Sequence, residues 1–260
     1  SVLLTTFLFI VIINSLNLVD GIDGLAAALG IVISSFFGIY AGLSGETAYA
    51  IMSAALTGTL SVFLWFNCTQ GKFKIFMGDT GSMVIGFIVT VMMIRFNELN
   101  AWGDPVMPLQ SSPAVSIGIL IVPLFDTLRV MIIRIIRHQS PFAADKRHIH
   151  HMLLRAGLSH GQATLSIAGA NVLLACTGFL LDSLGILWLT LTLLFLAISL
   201  TIPVYIAVAH AEGWNWRARK WWEIVFNIKD LEDVPEEALT GDKAAVAAAR
   251  VVVGAAEEKE

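Results

Sequence analysis

Three short runs of the sequence hold residue types that do chemistry, and each stands at the edge of an apolar stretch. The first is Asn17-Leu18-Val19-Asp20-Gly21-Ile22-Asp23-Gly24-Leu25-Ala26. Two carboxylates and an amide are costly at a membrane boundary unless they bind something. The paired glycines let a ligand approach the backbone where a following helix presents unpaired N–H groups. The competing reading is a tight turn with Asp23 as a helix cap, which leaves Asn17 and Asp20 without a task. An EF-hand calcium loop is disfavoured, because its acidic positions alternate and these are three apart.

The second run, Phe76-Met77-Gly78-Asp79-Thr80-Gly81-Ser82, opens another apolar stretch. Asp79 there is either a cap that suits the helix dipole or a hard oxygen ligand of the kind magnesium prefers, with the Gly81 and Ser82 amides beside it for phosphate oxygens. The third run, Ser140-Pro141-Phe142-Ala143-Ala144-Asp145-Lys146-Arg147-His148-Ile149-His150-His151, is rich in cations and imidazoles. No second Cys or His cluster completes a tetrahedral zinc site. Histidines next to Lys146 and Arg147 suit a cluster that grips phosphate oxygens through charge-assisted bonds, against the plainer reading of a solvated basic loop. Asp126 stands where it can pair with Arg129 or Arg134, and a simple ion pair is the favoured reading there.

The elements that must position these runs are read from hydropathy. Apolar residues make up 57% of the 260 positions and charged ones 14%, and the mean hydropathy of +0.78 is that of a chain whose main solvent is not water. About seven stretches approach the ~20 residues that cross a hydrocarbon core: roughly 2 to 19, 25 to 43, 47 to 66, 80 to 96, 113 to 133, 163 to 181 and 184 to 209. They lack period-2 alternation, so the expected fold class is all-α, a polytopic transmembrane helical bundle. Pro203 predicts a kink in the last span. Cys68 and Cys176 are far apart and carry neither a disulfide framework nor a zinc signature. The net charge of -4 leaves no nucleic-acid footprint.

Lys72 and Lys74, the basic residues of the 134 to 162 segment, and Arg217, Arg219 and Lys220 all fall on one face of the alternating spans. The opposite segments carry Glu46, Glu98, Asp104 and Asp182, with Arg95 as the exception. The positive-inside rule makes the basic face cytoplasmic. That face also receives the acidic turn at 20 to 24, a break in the pattern that calls for a reason. Residues 1–210 form the membrane domain. Residues 211–228 mix tryptophans with cations as an interfacial amphipathic segment, and 229–260 form an acidic, alanine-rich cytoplasmic tail. The start at Ser1, with no signal peptide, suggests a piece of something longer.

In order and spacing, the motifs N-x-x-D-G-x-D-G-L-A at 17 to 26, F-M-G-D-T-G-S at 76 to 82, P-L-F-D-T-L at 123 to 128 and S-P-F-x-x-D-K-x-H-I-H-H-x-L-L at 140 to 154 resemble the polyprenyl-phosphate N-acetylhexosamine-1-phosphate transferases. These form glycosyl transferase family 4. The run Leu153 to His160 looks more like the branch that transfers GlcNAc-1-phosphate (WecA and TagO type) than the muramoyl-pentapeptide branch (MraY type). The resemblance implies transfer of a sugar-1-phosphate from a UDP-N-acetylhexosamine to undecaprenyl phosphate, with release of UMP, at the cytoplasmic face of a bacterial inner membrane. It implies magnesium as cofactor, with manganese as a substitute, membrane lipid around the chain and a homodimer as one possible assembly.

Residue by residue, the resemblance makes Asp79 the metal ligand and sets Asn17, Asp20 and Asp23 around the nucleoside. It stacks Phe76 on uracil and puts His148, His150 and His151 on the phosphates or the sugar nucleotide. Gly78, Lys146 and Arg147 join them as substrate-binding positions, and Asn67 corresponds loosely to an amide ahead of the F-M-G-D motif. Family members also carry an Asp-Asp pair on an earlier helix and have about ten or eleven spans. The pair and the earlier spans are not in this sequence, so the chain as it stands is expected to be inactive alone. From other classes, a transporter or a non-catalytic binding subunit competes, but polar residues here gather at helix ends rather than mid-span.

Overall fold

The computed structural model describes residues 2–69, 71–103, 105–138, 140 and 147–211. The regular elements among them are all helices, with no strand. In chain order the helices are α1 (Val2–Val19), α2 (Leu25–Leu43), α3 (Thr47–Cys68), α4 (Gly78–Trp102), α5 (Ser112–Ile119), α6 (Ile121–Ile136), α7 (Ile149–Arg155), α8 (His160–Leu180) and α9 (Ile186–Ala211), with a 3-10 turn at Asp182–Leu184 before the last. Six of them, α1 to α4, α8 and α9, are long and apolar enough to cross a membrane. The interfacial segment and acidic tail expected from 211 onward lie outside the described residues, except for Ala211 at the end of α9.

The seventh expected span, 113 to 133, is broken into α5 and α6 at Leu120. The cause is Pro123, which has no N–H to give to the carbonyl of Ile119. Asn171 of α8, fully buried, answers it: its side-chain amide donates to Ile119 O at 3.0 Å and its oxygen accepts from Val122 N at 3.4 Å. A broken helix is tolerated in an apolar interior only with such a partner. Pro203, expected to kink the last span, sits inside α9 without ending it.

Close helix approach comes from small residues, as it must where lipid offers no hydrophobic driving force. A Cβ on Gly86 would stand 2.7 Å from the Ile13 Cα, so α4 meets α1 backbone to backbone there. Between α2 and α3, Gly38 faces Ser53, whose hydroxyl donates to Ser34 O at 2.5 Å, while the Ser34 and Thr57 hydroxyls share a hydrogen bond of 2.8 Å. Outward-facing Leu3, Phe7, Val62, Trp65, Leu165 and Phe195 are exposed, as a lipid-facing surface requires.

One end of the bundle is pinned by polar contacts remote from the three motifs. Asp182 accepts from the Gln110 and Ser111 amides, each at 2.8 Å, and the Tyr40 hydroxyl donates to Asn100 at 2.7 Å. Arg95, the exception to the charge pattern, binds Glu46 at 2.6 Å and lies 3.6 Å from Glu98. Its charge is therefore answered on the spot.

Candidate active site

The motifs meet at the other end, around the turn that joins α1 to α2. That turn is not a cap. Helix α2 starts after Gly24, at φ 81, with no side chain bonded to its first amides. Gly24 must be glycine both for that φ and because a Cβ would meet Cys68 Sγ and Leu64 at 2.9 Å. Its N–H donates instead to Asn67 Oδ1 at 2.6 Å, and the Asn67 amide donates onward to Ile75 O at 2.8 Å. Buried Asn67, which the resemblance treated as a site amide, is thus a staple between the turn and the approach to Asp79.

Asp79 occupies the first turn of α4 without capping it, and Gly78 takes the φ of 65 that lets the helix begin there. The Asn17 amide donates to Asp79 Oδ1 at 3.3 Å and to Ser82 Oγ at 2.9 Å. The first and second motifs are therefore in contact. Asp20 completes the group: burial, then the neighbouring Asp79 and Asp23 carboxylates, push its carboxyl above the usual range. Like charges held together this way fit a hard cation. No three His, Cys, Asp or Glu side chains among the described residues converge at metal-holding distance. A site with one or two carboxylates, open to water and substrate phosphates, suits magnesium rather than a metal that needs a closed protein cage.

The third motif docks on the same turn through His150. Its ring lies over Gly21 so closely that a Cβ at position 21 would collide with it. His150 is 2% exposed, and burial, with His151 beside it, holds its pKa at about 3. The sequence suggested a charged imidazole gripping phosphate; buried away from water, this one is neutral and acts as a wedge between the histidine segment and the turn. His148 pairs with Asp126 at 2.8 Å, and its ring stacks on that of His150 at 5.6 Å between centroids. His151 packs against His150 at 4.3 Å. Lys146 lies outside the described residues, whereas Arg147 is buried and its carbonyl accepts from Arg129 at 2.5 Å.

The ion pair read at Asp126 is formed with Arg129, at 2.8 Å. Arg129 also donates to the Tyr205 hydroxyl at 2.6 Å, so α6, the histidine segment and α9 share one buried cation. Asp126 further accepts from the Ile149 amide at 3.1 Å. Two residues with no assigned role in the sequence reading close the side of the turn. Lys74 donates to Asp23 Oδ2 at 2.7 Å, and His160 Nδ1 stands 3.2 Å from the same oxygen. Asp23 O accepts from the Thr164 hydroxyl at 3.0 Å. Phe76 turns its ring outward, 75% exposed, with the Lys74 ammonium 5.2 Å from its centroid. The signal for Lys74 was its position two residues before Phe76, and for His160 its place at the head of an apolar helix just after the third motif.

Comparison with known proteins finds a family likeness in the first part of the chain. Residues 1–97 match the model of glycosyl transferase family 4. Over those residues, which hold the acidic turn and Asp79, the chain is similar to that family. Among relatives, an undecaprenyl-phosphate alpha-N-acetylglucosaminyl 1-phosphate transferase of Escherichia coli K12 is 35% identical over 181 residues, 69% of this chain and 47% of the relative. One of that same description from Yersinia pestis is 35% identical over 170 residues, 65% and 45% of the two chains. A decaprenyl-phosphate N-acetylglucosaminephosphotransferase of Mycolicibacterium smegmatis is 37% identical over 179 residues, 64% and 44%. The chain spans just under half the length of these relatives.

The glycosyl transferase family 4 match covers the acidic turn and Asp79. The histidine motif comes later in sequence and is joined to that region in space by the Gly21 and His150 contact. The acidic group itself has a stability signature. An unfolded aspartate titrates near 3.8, and Asp20 in the fold titrates higher, so between the two values the folded chain holds a proton that the unfolded chain has lost. Stability therefore falls as pH rises through that window and stays lowered above it. In metal-free protein, Asp20→Asn is expected to remove this fall and to raise the melting temperature at neutral pH. A thermal melt of both proteins across pH checks it, and an unchanged pH profile in the variant would discount the carboxylate repulsion.

Proposed function

We propose that the whole protein transfers GlcNAc-1-phosphate from UDP-GlcNAc to undecaprenyl phosphate and releases UMP, at the cytoplasmic face of a bacterial inner membrane. One observation carries the reading: the acidic turn touches Asp79 through Asn17 and the histidine motif through Gly21, at one end of a bundle of apolar helices. An acceptor with a lipid tail and a phosphate head needs such a place, where the head meets the site while the tail stays in hydrocarbon. The names of the relatives favour GlcNAc over the muramoyl-pentapeptide donor. The basic segments on the motif end favour the cytoplasmic side.

In this reaction an oxygen of the lipid phosphate attacks the sugar-linked phosphorus, the P–O bond to the nucleotide breaks, and UMP leaves with the bond's electron pair. Two anions must meet, so the protein supplies alignment and charge more than covalent chemistry. Magnesium, when bound, supplies the positive charge that offsets the phosphates, and Asp79 and Asp20 are the residues that would hold it. Asn17 fixes the Asp79 carboxylate through its amide. Phe76 offers an open ring face to the uracil, and the neutral His150 sets the distance between turn and histidine segment. His148, held by Asp126 through Nδ1, fixes the histidine segment against α6.

Radiolabelled UMP is expected to exchange into UDP-GlcNAc in membranes that contain the complete gene product and polyprenyl phosphate. Absence of exchange in protein that also fails to bind UDP-GlcNAc would sink the transferase reading.

A further inference from the structure

We propose that Lys74 is the exchangeable cation of the donor site: it rests on Asp23 when no anion is present and leaves it for the diphosphate of a nucleotide. The inference deepens the proposed function and rests on it. Among the described residues, Arg129, His148 and His150 are committed elsewhere. Arg129 is held by Asp126, Tyr205 and the Arg147 carbonyl, with side chains of the Arg129 and Asp126 pair only 9% and 4% exposed. His150 is enclosed over Gly21 and His148 is paired with Asp126. A buried pair is not exchanged, because separating it strands a charge away from water.

Lys74 differs in accessibility and in placement. The side chains of Lys74 and Asp23 are 28% and 26% exposed, and pairs in contact with water hold by about 1 kcal/mol or less. A phosphate group with two negative charges outcompetes a single carboxylate for such an ammonium. The carboxylate is not abandoned when Lys74 leaves, since His160 Nδ1 remains 3.2 Å from it.

The location of Lys74 is built rather than incidental. Its segment is tied to the turn by Asn67, which accepts from Gly24 N and donates to Ile75 O, the carbonyl next in sequence. The Lys74 amide closes a turn onto Gly71 O at 3.1 Å, with Gly71 at φ 94. The ammonium thus stands between Asp23 and the open face of Phe76. A nucleotide with its base on Phe76 carries its phosphates within the sweep of that side chain, on the way to Asp79.

The test compares UDP with uridine by calorimetric titration of the complete gene product, in fixed excess magnesium. Lys74→Gln is expected to weaken UDP about tenfold, as for loss of a bond to a charged group, and to leave uridine unchanged. Lys74→Arg keeps the charge and is expected to recover most of the UDP affinity. Equal weakening of UDP and uridine by Lys74→Gln would show that Lys74 only holds the loop, and unchanged UDP affinity would show that it does not meet phosphate. Either overturns the assignment while the nucleotide reading stands. Failure of the unsubstituted protein to bind either ligand would overturn the nucleotide reading and this assignment together.

Discussion

Asp79→Asn lowers UMP exchange about a thousandfold, the expected cost of removing several kcal/mol of metal-borne stabilisation. The substitution is nearly isosteric and keeps the oxygen that accepts from the Asn17 amide at 3.3 Å, so α1 and α4 remain joined and the loss falls on charge. The exchange assay reads the effect, and a melting curve of the same sample shows whether the fold survives. Because Asp79 is exposed at the start of α4 with no capping bond, the fold has little use for its charge. Wild-type exchange in the variant would remove Asp79 from the metal position and leave Asp20 as the candidate.

Gly21→Ala is the second substitution with a large expected effect, and it acts through space rather than charge. The added methyl falls on the His150 imidazole. That ring is buried, and the segment behind it is held by the Asp126 bonds to His148 and to the Ile149 amide. Overpacking of this kind costs about 1 to 3 kcal/mol, and a displacement of about 1 Å between parts of a site costs about a hundredfold in rate. Exchange is therefore expected to fall about a hundredfold with a modest loss of melting temperature. His150→Ala in the same background makes room for the methyl, so the double variant should be less impaired than the two single losses combined predict. Strict additivity of the two would discount the wedge.

The membrane helices were legible because hydropathy is a local property: six of the expected spans appear as long apolar helices, with ends near those read from composition. The break at Leu120 was not, although Pro123 was in plain view. A proline states that a carbonyl will lack a donor, but only the fold shows that Asn171, far along the chain, supplies one. In the site, the family resemblance named Asn17, Asp20, Asp23 and Asp79, and these side chains lie near one another, Asn17 bonded to Asp79 and Asp20 beside the other two carboxylates. The resemblance could not reveal the state of the histidines. Three imidazoles beside Lys146 and Arg147 look charged and solvated in sequence, whereas burial of His150 over Gly21 decides otherwise. Lys74 and His160 were passed over for a related reason, since their significance lies in a shared partner, Asp23, remote from at least one of them in the chain.

The bond from Arg129 to Tyr205 ties the site to the last described helix, which carries none of the three motifs. A nascent chain that has emerged only through α8 already holds the acidic turn, Asp79 and the histidines, yet its buried guanidinium lacks the phenol that α9 brings. The Arg129 cluster is therefore complete only once α9 has packed against α6, although every motif residue precedes that helix in the chain.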